Sequence, residues 1–369
     1  MTPAELSRTV LHAVRRAVDA GQLSVTPPER VVVTPPGPGG CGDYATNVAL
    51  QLARPAGRTP LAVAEVLRPY LVGTDGITDV VVTGPGFLNF SLYDAAPVAL
   101  VQEILRRGSR YGFVDGPRSG RAGQNQAGQG QAGQGQGGAL IHCVRDVRAV
   151  VVMDAVARIL RSQGVPVLTR CSGHPHPEWE RILGVGIGAG VDSVGSPPTP
   201  GATVLRPVPA PADPLPLGRD AGRWALLHPA AHDRPLIGDE HLVQRESNPL
   251  FRVRYAHARS RALVRNAADL GFAPEPGPVT AAGVQSLLAA LADHPRVLAA
   301  AARQHAPDRL ARHLVTVADA ALPLLPTVLP RGAEKPSAAH RARLALAEAA
   351  GTVLAGGLSL LGIDAPDHL

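Results

Sequence analysis

Apolar residues keep helical spacing at both ends of the chain and strand-like alternation between. Leu6, Val10, Leu11, Val14 and Val18 recur every three or four positions, which predicts an amphipathic first helix. "VALQLA" and "TPLAVAEVLRPYLVG" continue in the same period, the second opened by Thr59-Pro60 as cap and first turn. "ITDVVVTGPGFLNFSLY" then alternates as two strands about a Gly84-Pro85-Gly86 turn. Further on, "ALIHCVRDVRAVVVMDAVARILRSQGVPVLTRCSG" reads strand, apolar helix, strand, a βαβ-like unit. From Asn248 the pattern is almost wholly helical. "NPLFRVRYAHARSRALVRNA" is followed by "VTAAGVQSLLAALADHPRVLAAAARQ", "PDRLARHLVTVADAALPLLPTVL" and "SAAHRARLALAEAAGTVLAGGLSLLGIDAP". Ser337 is the expected cap of the last helix, and Gly356-Gly357 its expected weak point. Helices joined by short Pro/Gly breaks predict an antiparallel bundle.

Two compositional joints divide these elements. Gly116–Gly138 is a Gly/Gln/Ala tract with little to bury, expected to be a disordered linker. Val191–Gly218 is proline-rich and expected to be extended. The expected order is an α+β module over residues 1–115, the linker at 116–138, a truncated Rossmann-like α/β unit over 139–240 containing the proline-rich 191–218, and an all-α bundle over 241–369.

Charge and cysteine content narrow the chemistry. The 369 residues carry a formal charge of +6, which favours an anionic partner. Lys335 is the only lysine, so a general arginine bias in the coding genome accounts for the same excess. Cys41, Cys143 and Cys171 lack CxxC spacing, and neither a zinc site nor a disulfide framework is expected. "CSGHPHPEWE" gathers Cys171, His174, His176 and Glu178, but its prolines give poor geometry for metal closure, and a solvated loop is expected. "GVGIGAG" lacks the Lys-Ser/Thr of a phosphate loop, and Cys41 has no base placed with it. No stretch approaches the roughly twenty apolar residues of a membrane span, and the first helix lacks the apolar core of a secretory signal. A cytoplasmic location is expected.

The helix opening at Asn248 concentrates arginine and aromatic side chains. At about 100° per residue, Val253, Ala256, Leu263, Val264, Ala267 and Leu270 share one arc expected to face the core. Arg254, Arg261 and Arg265 fall opposite, as a solvated ridge spaced for phosphates. Arg252 and Arg259 lie at the edge of the apolar arc, where a guanidinium needs a carboxylate. Phe251, Tyr255 and Ala262 share a third side. Rings beside guanidinium groups suit RNA, since rings stack on unpaired bases and guanidinium forks hold phosphate. The same pattern fits an ordinary solvated helix in an arginine-biased proteome.

"NPLFRVRYAHARSRALVRNA" resembles the NP-x-x-Y-V-Q-YAHAR signature opening the DALR-type anticodon-binding domain of arginyl-tRNA synthetases. "RLALAEAAGTVLAGGLSLLGIDAP" is similar to the end of that domain, and "GDYATNVALQLA" and "VTGPGFLNFSL" to the family's N-terminal domain, which meets the tRNA elbow. The resemblance implies tRNA contacts at Phe87, Asn89, Phe251, Tyr255, His257 and Arg259, beside Arg254, Arg261 and Arg265. "DAVARIL" is similar to the helix that follows the family's HVGH motif. Counted back without gaps, that motif falls on Cys143, Val144, Arg145 and Asp146, with Arg148 on the arginine after it. Both ATP-binding histidines are absent in this register, and shifting by one residue recovers only His142. No KMSKS-like lysine is present. From "DAVARIL" to "YAHAR" there are roughly a hundred residues, less than half of what the family's catalytic domain needs. The last helical segments also lack the family's aromatic run near the anticodon.

The resemblance therefore implies a tRNA-binding protein, most simply for arginine-type tRNA, with a reduced catalytic domain, no aminoacylation and no cofactor. Two alternatives stand beside it. One is a working arginine–tRNA ligase with an eroded site, which would need ATP and Mg. The other is a protein-interaction scaffold that no longer binds RNA.

Overall fold

The computed structural model describes residues 2–37, 39–74, 76–92, 95–114, 138–186, 191–192, 201–279 and 283–369. The Gly/Gln tract at 116–138, apart from Gly138, and much of "GVGIGAG" lie outside the described residues.

Helix α1 (Pro3–Asp19) starts in a reciprocal cap. The Thr2 hydroxyl accepts from Glu5 N–H, and the Glu5 carboxylate accepts from Thr2 N–H. Its Leu6, Val10, Ala13, Val14 and Ala17 are buried. β1 (Tyr44–Thr46), α2 (Val48–Ala56), α3 (Pro60–Leu67), β2 (Ile77–Thr83) and β3 (Phe87–Leu92) complete a small module whose antiparallel sheet runs β1-β3-β2. The three-residue β1 and the next helix, α4 (Ala95–Arg107), are not evident in the hydrophobic pattern. One core, from Leu6 to Phe90, belongs to this module; a second runs continuously from Leu100 on α4 to Ile363.

The second core includes a parallel sheet. β4 (Ala139–Cys143), α5 (Val147–Ser162), β5 (Val167–Ser172), α6 (Pro177–Leu183), β6 (Val191–Asp192), β7 (Thr203–Leu205) and α7 (Gly218–Leu227) follow in order, and the strands lie β6-β5-β4-β7. The direction of winding reverses between β4 and β7. In such sheets the ligand crevice opens at that switch point, beyond the strands' carboxyl ends. α5 is buried nearly all round because the sheet lies on one side and the helical domain on the other. The described parts of the proline-rich stretch, 191–192 and 201–218, supply β6, β7 and a 3-10 turn at Leu215–Leu217 rather than a wholly extended connection.

α8 (Pro249–Asp269), α9 (Val284–Gln304), α10 (Pro307–Ala321) and α11 (Ala338–Leu361) form the expected bundle. Asn248 caps α8 by accepting from Leu250 N–H, and Ser337 caps α11. Gly356 and Gly357 are not a weak point. α11 runs past them to Leu361 and is capped by Gly362 in the left-handed region (φ 72°). A Cβ at Gly356 would lie 2.7 Å from Ser109 O, so that glycine lets the turn after α4 approach the helix. α11 also corrects the membrane expectation: by length and composition it could span a bilayer, but most of its apolar stretch is buried in the bundle.

Candidate nucleic-acid interface

The stripe Phe251, Tyr255, Arg259 follows the i, i+4, i+8 positions of α8 and faces outward. Tyr255 is 42% exposed, Phe251 half-buried, and their rings stack at 5.5 Å. Arg259 is exposed and forms no ion pair among the described residues, although its place at the arc's edge predicted a carboxylate. Arg252 does have one, Asp319 at 3.1 Å.

The expected open ridge of arginines is different in the structure. Arg254 lies 3.4 Å from Asp220 on α7. Arg261 bonds Asp367 at 3.1 Å, and Arg265 donates to the Asp367 carbonyl at 3.2 Å. α7 and the residues after α11 therefore partly cover this face, a tertiary contact that helical periodicity does not encode. His257 is only 4% exposed. Its Nδ1 lies 3.1 Å from Gly351 O, and burial holds its pKa below the usual histidine value, so it ties α8 to α11 as a neutral ring. Leu270, placed on the apolar arc by period, is exposed beyond the end of α8.

In the N-terminal module Phe87 is 38% exposed beside the glycine turn, but Asn89 is buried. The Asn89 amide donates to Thr83 Oγ1, Val81 O and Phe87 O, and its oxygen accepts from Cys41 N–H. It holds the β2–β3 turn to the loop before β1 and presents Phe87, rather than facing a ligand itself. A cleft of about 450 Å³ between this module and α9 is lined by Asp43, Tyr44, Leu92 and Gln285. Burial, with Asp293 and Asp43 nearby, pushes the Tyr44 phenol up to about 12, an acidic setting unsuited to phosphate.

At the switch point, the four residues aligned with the nucleotide motif do not make a triphosphate cradle. The Cys143 thiol is buried, and its pKa is raised by a hydrogen bond with Cys171, its neighbour in register on β5, and by burial. Val144 packs against the core. Arg145 turns aside to donate to His174 O at 2.7 Å. Asp146 caps α5, its carboxylate accepting from Ala149 N–H at 3.0 Å. That carboxylate occupies a helix N-terminus that would otherwise favour an anion. His142, the alternative motif position, is buried within β4 with Nε2 3.3 Å from Ser172 Oγ.

Arg148 was missed as a structural residue. It is fully buried, and its guanidinium donates to five carbonyls: Val208, Leu226, Pro229, Ala230 and Asp233. Val208 follows β7, so the guanidinium and the 226–233 segment bridge the β4 side of the crevice to the β7 side. At these positions the phosphates of ATP would meet the Asp146 carboxylate, and Arg148 is already saturated by main chain, a poor fit for a triphosphate.

Comparison with known proteins joins these parts. Residues 4–92 match the arginyl tRNA synthetase N terminal domain, and residues 253–369 match the DALR anticodon binding domain. An arginine–tRNA ligase of Paenarthrobacter aurescens is 26% identical over 557 aligned positions, covering all of both chains. The chain is related to the arginyl-tRNA synthetases. With 369 residues it has nothing opposite about a third of those positions. Arginine–tRNA ligases of Frankia alni and Renibacterium salmoninarum are 40% and 39% identical over 167 and 170 residues, 45% of this chain in each case. The matched segment spans only 29% and 30% of those relatives. Among solved structures, the Thermus thermophilus arginyl-tRNA synthetase aligns with a TM-score of 0.66 at 15% identity, covering 100% of both chains. The Plasmodium falciparum enzyme gives 0.64 at 9%, covering 100% of this chain and 99% of its own. The architecture, an α+β module, a small parallel sheet and a helical C-terminal domain, is that of the family.

Proposed function

We propose that the chain binds tRNA, arginine-type by its family, and does not activate an amino acid. The domain scheme is part of the proposal: a tRNA-elbow module over 1–115, a linker at 116–138, a reduced catalytic unit over 139–240, and an anticodon-side bundle over 241–369. Phe87 and the stripe Phe251, Tyr255, Arg259 are the surfaces offered to RNA. Rings supply base stacking, and arginine supplies phosphate contact. His257 and Asn89 shape these surfaces from within.

One observation carries the reading. Arg148, aligned with the arginine after the family's nucleotide motif, is spent on five backbone carbonyls, and the Asp146 carboxylate sits at the start of the same helix. Unfractionated tRNA is expected to bind with salt-dependent affinity, while pyrophosphate exchange dependent on arginine and tRNA stays at the level of a Cys143→Ala/Asp146→Ala variant. Exchange well above that variant rejects the proposal in favour of a working arginine–tRNA ligase, a reading supported by the end-to-end match to the Paenarthrobacter aurescens ligase. A protein scaffold without RNA is favoured by the internal pairing of Arg254, Arg261 and Arg265, and absence of tRNA binding at low salt would select it.

A further inference from the structure

We propose that the segment after α11, Asp364–His368, is a displaceable acidic cover on the arginine face of α8, and that an RNA phosphate backbone competes with it for Arg261 and Arg265. The inference rests on the tRNA-binding reading and adds a regulated contact to it.

The segment is anchored to the core and to α7 at its start and held only by exposed polar contacts beyond. Ile363 is buried in the core, and Asp364 N–H donates to Asp220 Oδ1 at 3.0 Å. The other oxygen of the same α7 carboxylate lies 3.4 Å from Arg254. One acidic side chain thus holds both the segment and the first arginine of the face. Asp367 and His368, by contrast, are exposed. Asp367 Oδ1 meets Arg261 Nε at 3.1 Å and lies 3.8 Å from His257 Nε2. Its carbonyl, with His368 Nδ1 at 3.4 Å, takes Arg265 Nη2.

Asp367 therefore stands where two arginines would otherwise face solvent, its carboxylate on Arg261 and its main-chain carbonyl on Arg265. Exposed pairs of this kind are weak and screened by salt, so they yield to a stronger competitor. A phosphate is such a competitor, because a guanidinium can hold two of its oxygens at once and each contact releases a counterion. Arg254 is less available than Arg261, with 24% of its side chain exposed against 42%, and it is held by a half-buried carboxylate. Arg261 and Arg265 are the two that exchange partners.

The test is a double-mutant cycle on the full chain, read as the dissociation constant for fluorescent unfractionated tRNA at about 100 mM salt, with inorganic polyphosphate as a second probe. Asp367→Asn keeps the shape and removes the charge. It is expected to tighten binding about two- to fivefold, the range set by an exposed ion pair. The gain is expected to vanish when Arg261→Gln is already present. Asp19→Asn, at the end of α1, makes the same change in net charge away from this face and should give no such gain. Unchanged or weaker binding by Asp367→Asn overturns the proposal, as does a gain that survives Arg261→Gln or is matched by Asp19→Asn. Thermal unfolding of each variant identifies loss of fold; if Asp367→Asn lowers the melting temperature and loses affinity, the segment is a structural clasp and the proposal fails. A gain toward polyphosphate with no tRNA binding by any variant keeps the cover and rejects the tRNA reading. No gain with either probe rejects the cover.

Discussion

Arg148 and Arg223 are both fully buried, in a chain whose arginine excess looks at first like surface charge. Arg223, on α7, bonds Asp154 of α5 at 2.5 Å, Leu183 O at the end of α6 and Leu361 O at the end of α11. Three elements meet on one guanidinium, and Gly362 permits it, since a Cβ there would collide with the guanidinium. Arg223→Met leaves the Asp154 carboxylate buried with only the half-exposed Arg158 as partner. The expected loss is about 3–5 kcal/mol in urea denaturation, much of it recovered by adding Asp154→Leu, because removing both partners avoids a stranded charge. Gly362→Ala should cost about 1–3 kcal/mol through its positive φ, and more through the collision. Little of this was legible beforehand. The sequence places Arg148 and Asp154 in an apolar helix, but α7 with Arg223 was not read from it, and which carbonyls reach a guanidinium depends on contacts 60 to 138 residues away. The motif alignment did place Cys143, Val144, Arg145 and Asp146 at the carboxyl end of a parallel strand, because strand, turn and helix are local.

Helices α9 and α10 carry a prediction about acid. His294 is fully buried, stacks on Tyr111 at 5.9 Å and lies 5.3 Å from His313, whose neighbours also include Asp293 and Arg296. Burial, and for His294 the second histidine, lower the two pKa values to about 3 and about 4. Neither ring accepts a proton in the fold until well below the ordinary value of 6.5, whereas the unfolded chain takes protons up from that value downward. The stability from keeping them neutral is therefore fully present above pH 6.5 and falls away as pH drops toward 4 and then 3. At pH 5 the expected loss is roughly 2 kcal/mol per histidine, from 1.36 kcal/mol for each pH unit of the gap. Urea denaturation at pH 7 and pH 5 checks it: the difference between the two should shrink by about that amount in His294→Phe, and equal slopes in wild type and variant would refute the assignment. Elements such as these were the most legible part of the fold, since long helices advertise themselves by period and caps. The short β1, held in place by pairing with β3 and by a bridge to Thr34, had no signal of its own. Gly356 was misread because a glycine that admits a neighbouring turn looks, in sequence, like one that ends a helix.

For the whole molecule, the proposed RNA surfaces lie on two parts, Phe87 on the N-terminal module and the α8 stripe on the bundle. α1 packs on α9, while α4 and the turn after it pack on α11, so the N-terminal module and the bundle are braced directly. On the proposed tRNA reading such a frame would hold one ligand at two places, and the two kinds of contact on α8 are separable by salt. Tyr255 is a ring with a stacking partner and no charge; Arg259 is a charge with no carboxylate partner among the described residues. If an unpaired base stacks on the Phe251–Tyr255 pair, Tyr255→Ala should weaken tRNA binding by about 1–3 kcal/mol and leave the slope of log affinity against log salt unchanged. If Arg259 meets a phosphate, Arg259→Gln should lower that slope by close to one. Phe87→Ala, on the other module, should act as Tyr255→Ala does, reducing affinity at constant slope. Fluorescence anisotropy with labelled tRNA from 50 to 200 mM KCl measures all three. An aromatic variant that flattens the slope, or an Arg259 variant that leaves it untouched, would mean that RNA lies elsewhere on the protein.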